Sequence, residues 1–242
     1  MTDIEVYTLF DDEIRKTYRE QKLKHLNEIE ISGQFPPGIF SEILRKKNPV
    51  HKMPYSHFKM VHEIDFITCD MKYITAQLYL LRPYINNPIV EGNTYQQSVC
   101  DRRYLMHVTF GLQAVYNFWD RIGDILWHYF ETNLSERDVY FDRVIKQIEE
   151  KYKETDSYKR LIEIYEKEVK PILKERSESV HYFQPEVRHY WGHVENNREI
   201  EKVKEMYQLK FGYADMMKRQ LEIALIVFEE TLKLIEERPD KS

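Results

Sequence analysis

The chain has 242 residues (29.6 kDa), only seven glycines, 42% hydrophobic and 32% charged residues, the balance of a helical globular protein rather than a disordered chain or a β-sandwich. A formal net charge of −5 and a pI near 6.0 exclude a protein that coats nucleic acid through a broadly basic surface, so any RNA contact must be local. Cys69 and Cys100 form no CxxC pair, the opening Met1-Thr-Asp-Ile-Glu-Val is no signal peptide, and no apolar run nears the ~18 residues of a membrane span, so the expectation is a cytoplasmic protein without disulfides or membrane association.

In chain order, Asp11 to Ile31 is rich in Glu, Lys, Arg and Leu and predicts a mostly exposed helix stopped by Ser32-Gly33 and Pro36-Pro37. Residues 32 to 55, with Pro36, Pro37, Gly38, Pro49 and Pro54, read as a connector with a short helix around Phe40 to Lys46. Residues 1–55 are therefore expected to pack as a peripheral helix and connector on a bundle formed by residues 56–242. Between His57 and Arg82, Val61, Ile64, Thr68, Met71, Ile74, Leu78 and Leu81 recur at spacings of three and four, the mark of a core helix. Pro83, Asn86-Asn87-Pro88 and Gly92-Asn93 then predict a loop.

The strongest periodicity lies within Gln96 to Glu131, where Leu105, Val108, Leu112, Val115, Trp119, Ile122, Leu126 and Tyr129 alternate spacings of three and four. A period of 3.5 sets one apolar seam against a neighbouring helix at a shallow angle. Arg198 to Glu237 repeats the pattern through Tyr213, Met217, Leu221, Ala224, Phe228, Thr231 and Ile235. Between these, Asp138 to Lys153 and Ser157 to Phe183 are charged amphipathic stretches, the second expected to kink or split at Pro171. Gln184 to Asn197, with Pro185 and Gly192, reads as a loop unusually rich in aromatic and histidine residues. The fold class expected is all-α, with four or five long helices.

Arg176-Ser-Glu-Ser-Val-His181 is the candidate catalytic element. An imidazole that titrates near neutrality can move a proton, and a guanidinium that keeps its charge can hold a phosphoryl oxygen. Five helical positions turn through about 140° and rise about 7.5 Å, so one helix cannot aim both groups at one atom unaided, which favours a site shared by two chains. Lys167, Lys170 and Lys174 lead toward Arg176 as a short basic stripe that could contact RNA, or as a solvated face offset by Glu166, Glu168 and Glu175. Gln113, Asn117, Asp120 and Asp124 form a polar row beside the apolar seam; it reads either as a solvent edge or as a source of a carboxylate that orients Arg176 or His181. Tyr190 and Trp191 could stack on a base or simply pack their loop onto the bundle, and Tyr182 and Trp191 are candidates to contact RNA. Glu178/His181, Glu186/His189 and His189/His193 have metal-site spacings, but the first two pairs share one segment and the third lacks a further partner, so no cofactor or metal is expected.

Arg176, Ser177 and His181 resemble the hallmark of the HEPN superfamily of helical bundles, an arginine, a polar residue, three further residues and a histidine. Val115-Tyr-Asn-Phe-Trp-Asp-Arg-Ile-Gly-Asp124 is similar to an aromatic and acidic helix of standalone bacterial HEPN proteins, and the likeness spans roughly residues 56 to 237. The resemblance implies a homodimer with Arg176 and His181 of both copies in one cleft, a metal-independent endoribonuclease, a toxin-like or defence role and an antitoxin as candidate partner. His181 would serve as general acid or base and Arg176 would stabilise the phosphorane, with Ser177, Asp120 and Asp124 in support. Ser177 departs from the asparagine most often found after the arginine. The alternative is a non-catalytic bundle that binds RNA or protein.

Overall fold

A computed structural model describes residues 3–31, 33–51, 57–87, 97–181, 184–196 and 199–240. Its helices are α1 (Asp3–Glu20), α2 (Pro36–Lys46), α3 (His57–Leu81), α4 (Val99–Tyr129), α5 (Phe141–Gln147), α6 (Glu150–Lys153), α7 (Asp156–Ile164), α8 (Lys170–His181), α9 (Pro185–Asn196) and α10 (Ile200–Glu236). Among the described residues the only β feature is an isolated bridge between Ile31 and Gln34, so the fold is all-α. No described helix is long and apolar enough to cross a membrane. Pro54, Pro88, Gly92, Asn93 and Tyr182, which carry expectations above, lie outside the described residues.

The periodic positions become the core. All eight seam residues of α4 are buried, as are the seven on α10 and Val61, Ile64, Thr68, Met71, Ile74 and Leu78 on α3.

Three stretches differ from expectation and a fourth divides as expected, each for a local reason. The first helix ends at Glu20 rather than near Ile31. Lys22 takes a left-handed φ of 53°, and the chain is then tied down by side chains: Leu26 N–H donates to Thr68 Oγ1 at 3.1 Å and Asn27 N–H to Asp65 Oδ1 at 3.1 Å. The proline-rich connector is helical from Pro36, because proline at a first turn loses no hydrogen bond. The stretch expected to kink or split at Pro171 divides into α7 and α8, with Pro171 in the first turn of α8. Between them Tyr165–Val169 widens into a π-helical turn, with Lys170 N–H donating to Tyr165 O just before the residue that lacks an N–H. Gln220 Nε2 donates to the Glu168 carbonyl in that turn at 3.2 Å. Finally, the loop expected at Gln184 to Asn197 is α9, opened by Pro185. Gly192 is a packing residue there: a Cβ would stand 2.2 Å from Met206 Cε.

The described chain divides into two compact units whose segments interleave in sequence. The first comprises residues 1–23, 70–113 and 173–219. In it Lys72 lies over the Tyr18 ring at 4.2 Å, and Asp215 accepts from Tyr79 Oη at 2.6 Å and Arg82 Nη1 at 2.9 Å. Gly111 lets α4 approach Met217, whose Sδ would be 2.7 Å from an added Cβ. The second comprises residues 24–69, 114–172 and 220–242. Trp119, Phe141 and Tyr165 form its aromatic cluster, with ring centroids 4.5 to 5.4 Å apart, and Phe40 meets Phe228 at 6.4 Å.

Candidate active site

Arg176 and His181 both ride α8, in the first unit. Two anchors hold this part of the helix. Glu175 accepts from Tyr213 Oη of α10 at 2.6 Å and is also paired with Arg188 of α9, while Arg188 Nη2 reaches the same tyrosine oxygen at 3.2 Å. One residue on, half-buried Arg176 donates from Nε and Nη2 to Gln113 Oε1 of α4, at 3.2 and 3.1 Å. Both N–H groups of one guanidinium edge on a single amide oxygen fix the plane of the cation, which a lone contact would not. Gln113 is the first member of the polar row on α4, so the row supplies a brace for the arginine through its amide.

Ser177 and His181 are exposed, four residues apart on the last turns of α8, and so share a helix face. Lys167 and Lys170 make i,i+4 ion pairs with Glu163 and Glu166 at 3.0 and 2.7 Å, and Lys174 is exposed. Trp191 is 54% exposed on α9, edge-on to the exposed Tyr190 at 5.7 Å.

Asp120 and Asp124 belong to the second unit, where Arg121 engages both. Its Nη1 bonds Asp124 and lies 3.7 Å from Asp120, while its Nε donates to Glu63 at 2.7 Å. Burial pushes the Asp124 carboxyl up to about 6, outweighing Arg121, and raises Asp120 in the same direction. The structure thus brings Arg176 to Gln113, and Asp120 and Asp124 to Arg121.

Sequence reasoning missed a sealed polar cluster in the first unit. Lys210 and Asp101 form an ion pair at 2.7 Å with both side chains fully buried, and the carboxylate also accepts from Ser98 Oγ at 2.6 Å and Asn86 N–H at 3.1 Å. Burial raises the Asp101 pKa, but bonds from Lys210 and Ser98 outweigh it and hold the carboxyl below its ordinary value. His189 and His193, one turn apart on α9, turn inward. Burial and then the Lys210 charge push them down to about 3 and about 4, so both are neutral near pH 7. Among the described residues no three His, Cys, Asp or Glu side chains are disposed to hold a metal ion.

An all-helical fold carrying Arg176, Ser177 and His181 on one helix end defines the class of protein expected. The model of the HEPN_Cthe2314-like HEPN family matches residues 75–235, and the chain belongs to that family. No curated protein and no solved structure matches it significantly.

Proposed function

We propose that this protein is a metal-independent endoribonuclease that works as a homodimer, with Arg176 and His181 of both copies around one scissile phosphodiester. The observation that carries the reading is the asymmetry on α8: the arginine is braced by Gln113, while the histidine and Ser177 are left exposed on the same helix end. A fixed cation beside an open proton carrier suits phosphoryl chemistry, and membership of a superfamily whose proteins are typically RNase-like supports it.

In the proposed reaction His181 takes the proton from a ribose 2′-hydroxyl, the 2′-oxygen attacks phosphorus, and the bond to the 5′-oxygen breaks as that oxygen receives a proton from the second imidazole. The products are a 2′,3′-cyclic phosphate and a 5′-hydroxyl. Arg176 neutralises the charge that grows on the phosphorane, and Ser177 Oγ, one turn below His181, orients phosphate or imidazole. General acid–base transfer of this kind contributes about 10²–10⁴-fold. Asp120 and Asp124, engaged by Arg121 in the second unit, are given no step in this reaction. Lys174, Trp191 and Tyr182, with Lys167 and Lys170 when released from their glutamates, are proposed contacts to the RNA strand.

The test is cleavage of an end-labelled RNA in EDTA beside the same oligonucleotide with 2′-deoxyribose at the cut position, together with sedimentation of the protein. Cutting of the first only, by a dimer, is the expected result. Cutting of both would rule out the 2′-hydroxyl as nucleophile. A second reading is a non-catalytic bundle that binds protein rather than RNA, favoured by the pairing of Lys167 and Lys170 with Glu163 and Glu166, which offsets the basic stripe; a protein that neither cuts nor binds the RNA would favour it, and binding without cutting would mark a non-catalytic RNA binder.

A further inference from the structure

In the first unit a cleft of about 310 Å³ opens between α4 and the start of α9, lined by Arg102, Arg103, Leu105, Met106, Phe110 and Gln184, with Thr109 and Glu186 completing it. Met106 and Phe110 stand one turn apart on α4 and are 44% and 51% exposed, while Leu105 is buried and forms the floor. Large apolar side chains left adjacent and open mark a surface with something to cover it.

Its place in the fold says where that ligand runs. Phe110 precedes Gln113, the brace of Arg176, by three residues, about 4.5 Å of helix rise. Gln184 follows His181 by three residues, at most about 11 Å of chain. The cleft therefore adjoins the Arg176 and His181 helix end from both sides of its lining.

Charge says what the ligand is. Arg102 is held by Glu186 at 3.2 Å, whereas Arg103 is exposed and has no ion-pair partner among the described residues. An open aromatic ring beside an uncommitted guanidinium is the combination that holds a base by stacking and its phosphate by charge. A second copy packed on this patch about a two-fold axis would face like charge with like charge, since isologous surfaces meet themselves. The volume lies at the lower end of the range for small-ligand pockets, about 300–1,000 Å³, which suits one base and not a duplex groove.

We infer that this cleft receives one unstacked base of a single-stranded RNA whose backbone passes Arg176, with Phe110 as the stacking face and Arg103 on the adjacent phosphate. The inference rests on the nuclease reading for what lies next to the cleft, but base binding itself needs no turnover. The substrate class is RNA with unpaired bases, as in loops and single strands.

The test is fluorescence anisotropy of a labelled single-stranded RNA of about ten nucleotides bound to the full-length His181→Ala protein and to the same protein carrying Phe110→Ala, Phe110→Leu or Arg103→Ala. Phe110→Ala is expected to weaken binding about tenfold, and Phe110→Leu to do the same, because it keeps apolar bulk without a ring face. Arg103→Ala should weaken binding and lower the salt dependence by about one phosphate contact. Moving an abasic nucleotide along the oligonucleotide should reveal one position that weakens the parent protein equally and the Phe110→Ala protein no further. Unchanged affinity in Phe110→Ala, full rescue by leucine, or no binding by the parent protein would overturn the inference. A Phe110→Ala protein that sediments as a smaller species would instead assign the patch to a second copy. Cleavage by the protein with His181 intact is scored separately, so loss of the base subsite and failure of catalysis give different results.

Discussion

Two polar regions of the first unit carry ionisable groups in opposite settings. Lys210 and Asp101 are sealed, with neither side chain reaching solvent, and His189 and His193 are packed beside them in neutral form. On α8, Arg176 is half-buried and Ser177 and His181 are exposed. Groups of the first kind answer to folding, because desolvation makes every charge there depend on its partner. Those of the second kind are under no such constraint and can meet a ligand. The unit thus separates the charges that hold it together from the charges available for chemistry.

The comparison is broken most severely by removing one sealed charge. Lys210→Met strands Asp101 and should cost about 3–5 kcal/mol in urea unfolding, and Lys210→Met combined with Asp101→Leu should regain most of it. Acid gives the next effect. His189 and His193 hold pKa values of about 3 and about 4 in the fold against ~6.5 when unfolded. The unfolded chain therefore binds more protons as pH falls; their stabilisation is complete above about pH 7 and declines from about pH 6.5 toward 4, by at most about 1.4 kcal/mol per pH unit for each histidine. Unfolding midpoints at pH 7 and 5 should lie closer together in His189→Leu than in the wild type.

A smaller loss is expected in the second unit from Gly123→Ala, because the new Cβ would sit 2.7 Å from Phe141 N and 3.1 Å from its Cα, and backbone yields poorly. About 1–3 kcal/mol is the expected cost. The smallest effect should come from Lys167→Ala or Lys170→Ala, exposed pairs whose loss should alter stability by under about 0.5 kcal/mol. If instead they weaken RNA binding, they sharpen the division between structural and available charge.

Much of the core could be read from periodicity alone, because Leu105 to Tyr129 and Tyr213 to Ile235 meet other helices through one continuous stripe. The sealed pair left a fainter trace: Asp101 lies four residues before Leu105 and Lys210 three before Tyr213, each in phase with its seam. A charged residue at an apolar phase signals a buried partner, yet 109 positions separate these two and nothing local names one for the other. The sequence of α9 reads as a loop because Pro185 and Gly192 are breakers by propensity; in the fold one occupies a permitted first turn and the other makes room for Met206, a tertiary fact. At the candidate site, Arg176, Ser177 and His181 stood out by type and spacing. Gln113 appeared only as part of a polar row, since an amide that accepts from an arginine 63 residues away has no sequence signature.

The most direct measurement is the initial rate of RNA cleavage in EDTA by wild type, Arg176→Ala and His181→Ala, each checked by its unfolding midpoint. The account predicts cutting by the wild type, a fall of at least about a hundredfold in either variant, and midpoints that stay together. Equal rates in all three proteins, or variants that lose rate only because they unfold, would contradict it.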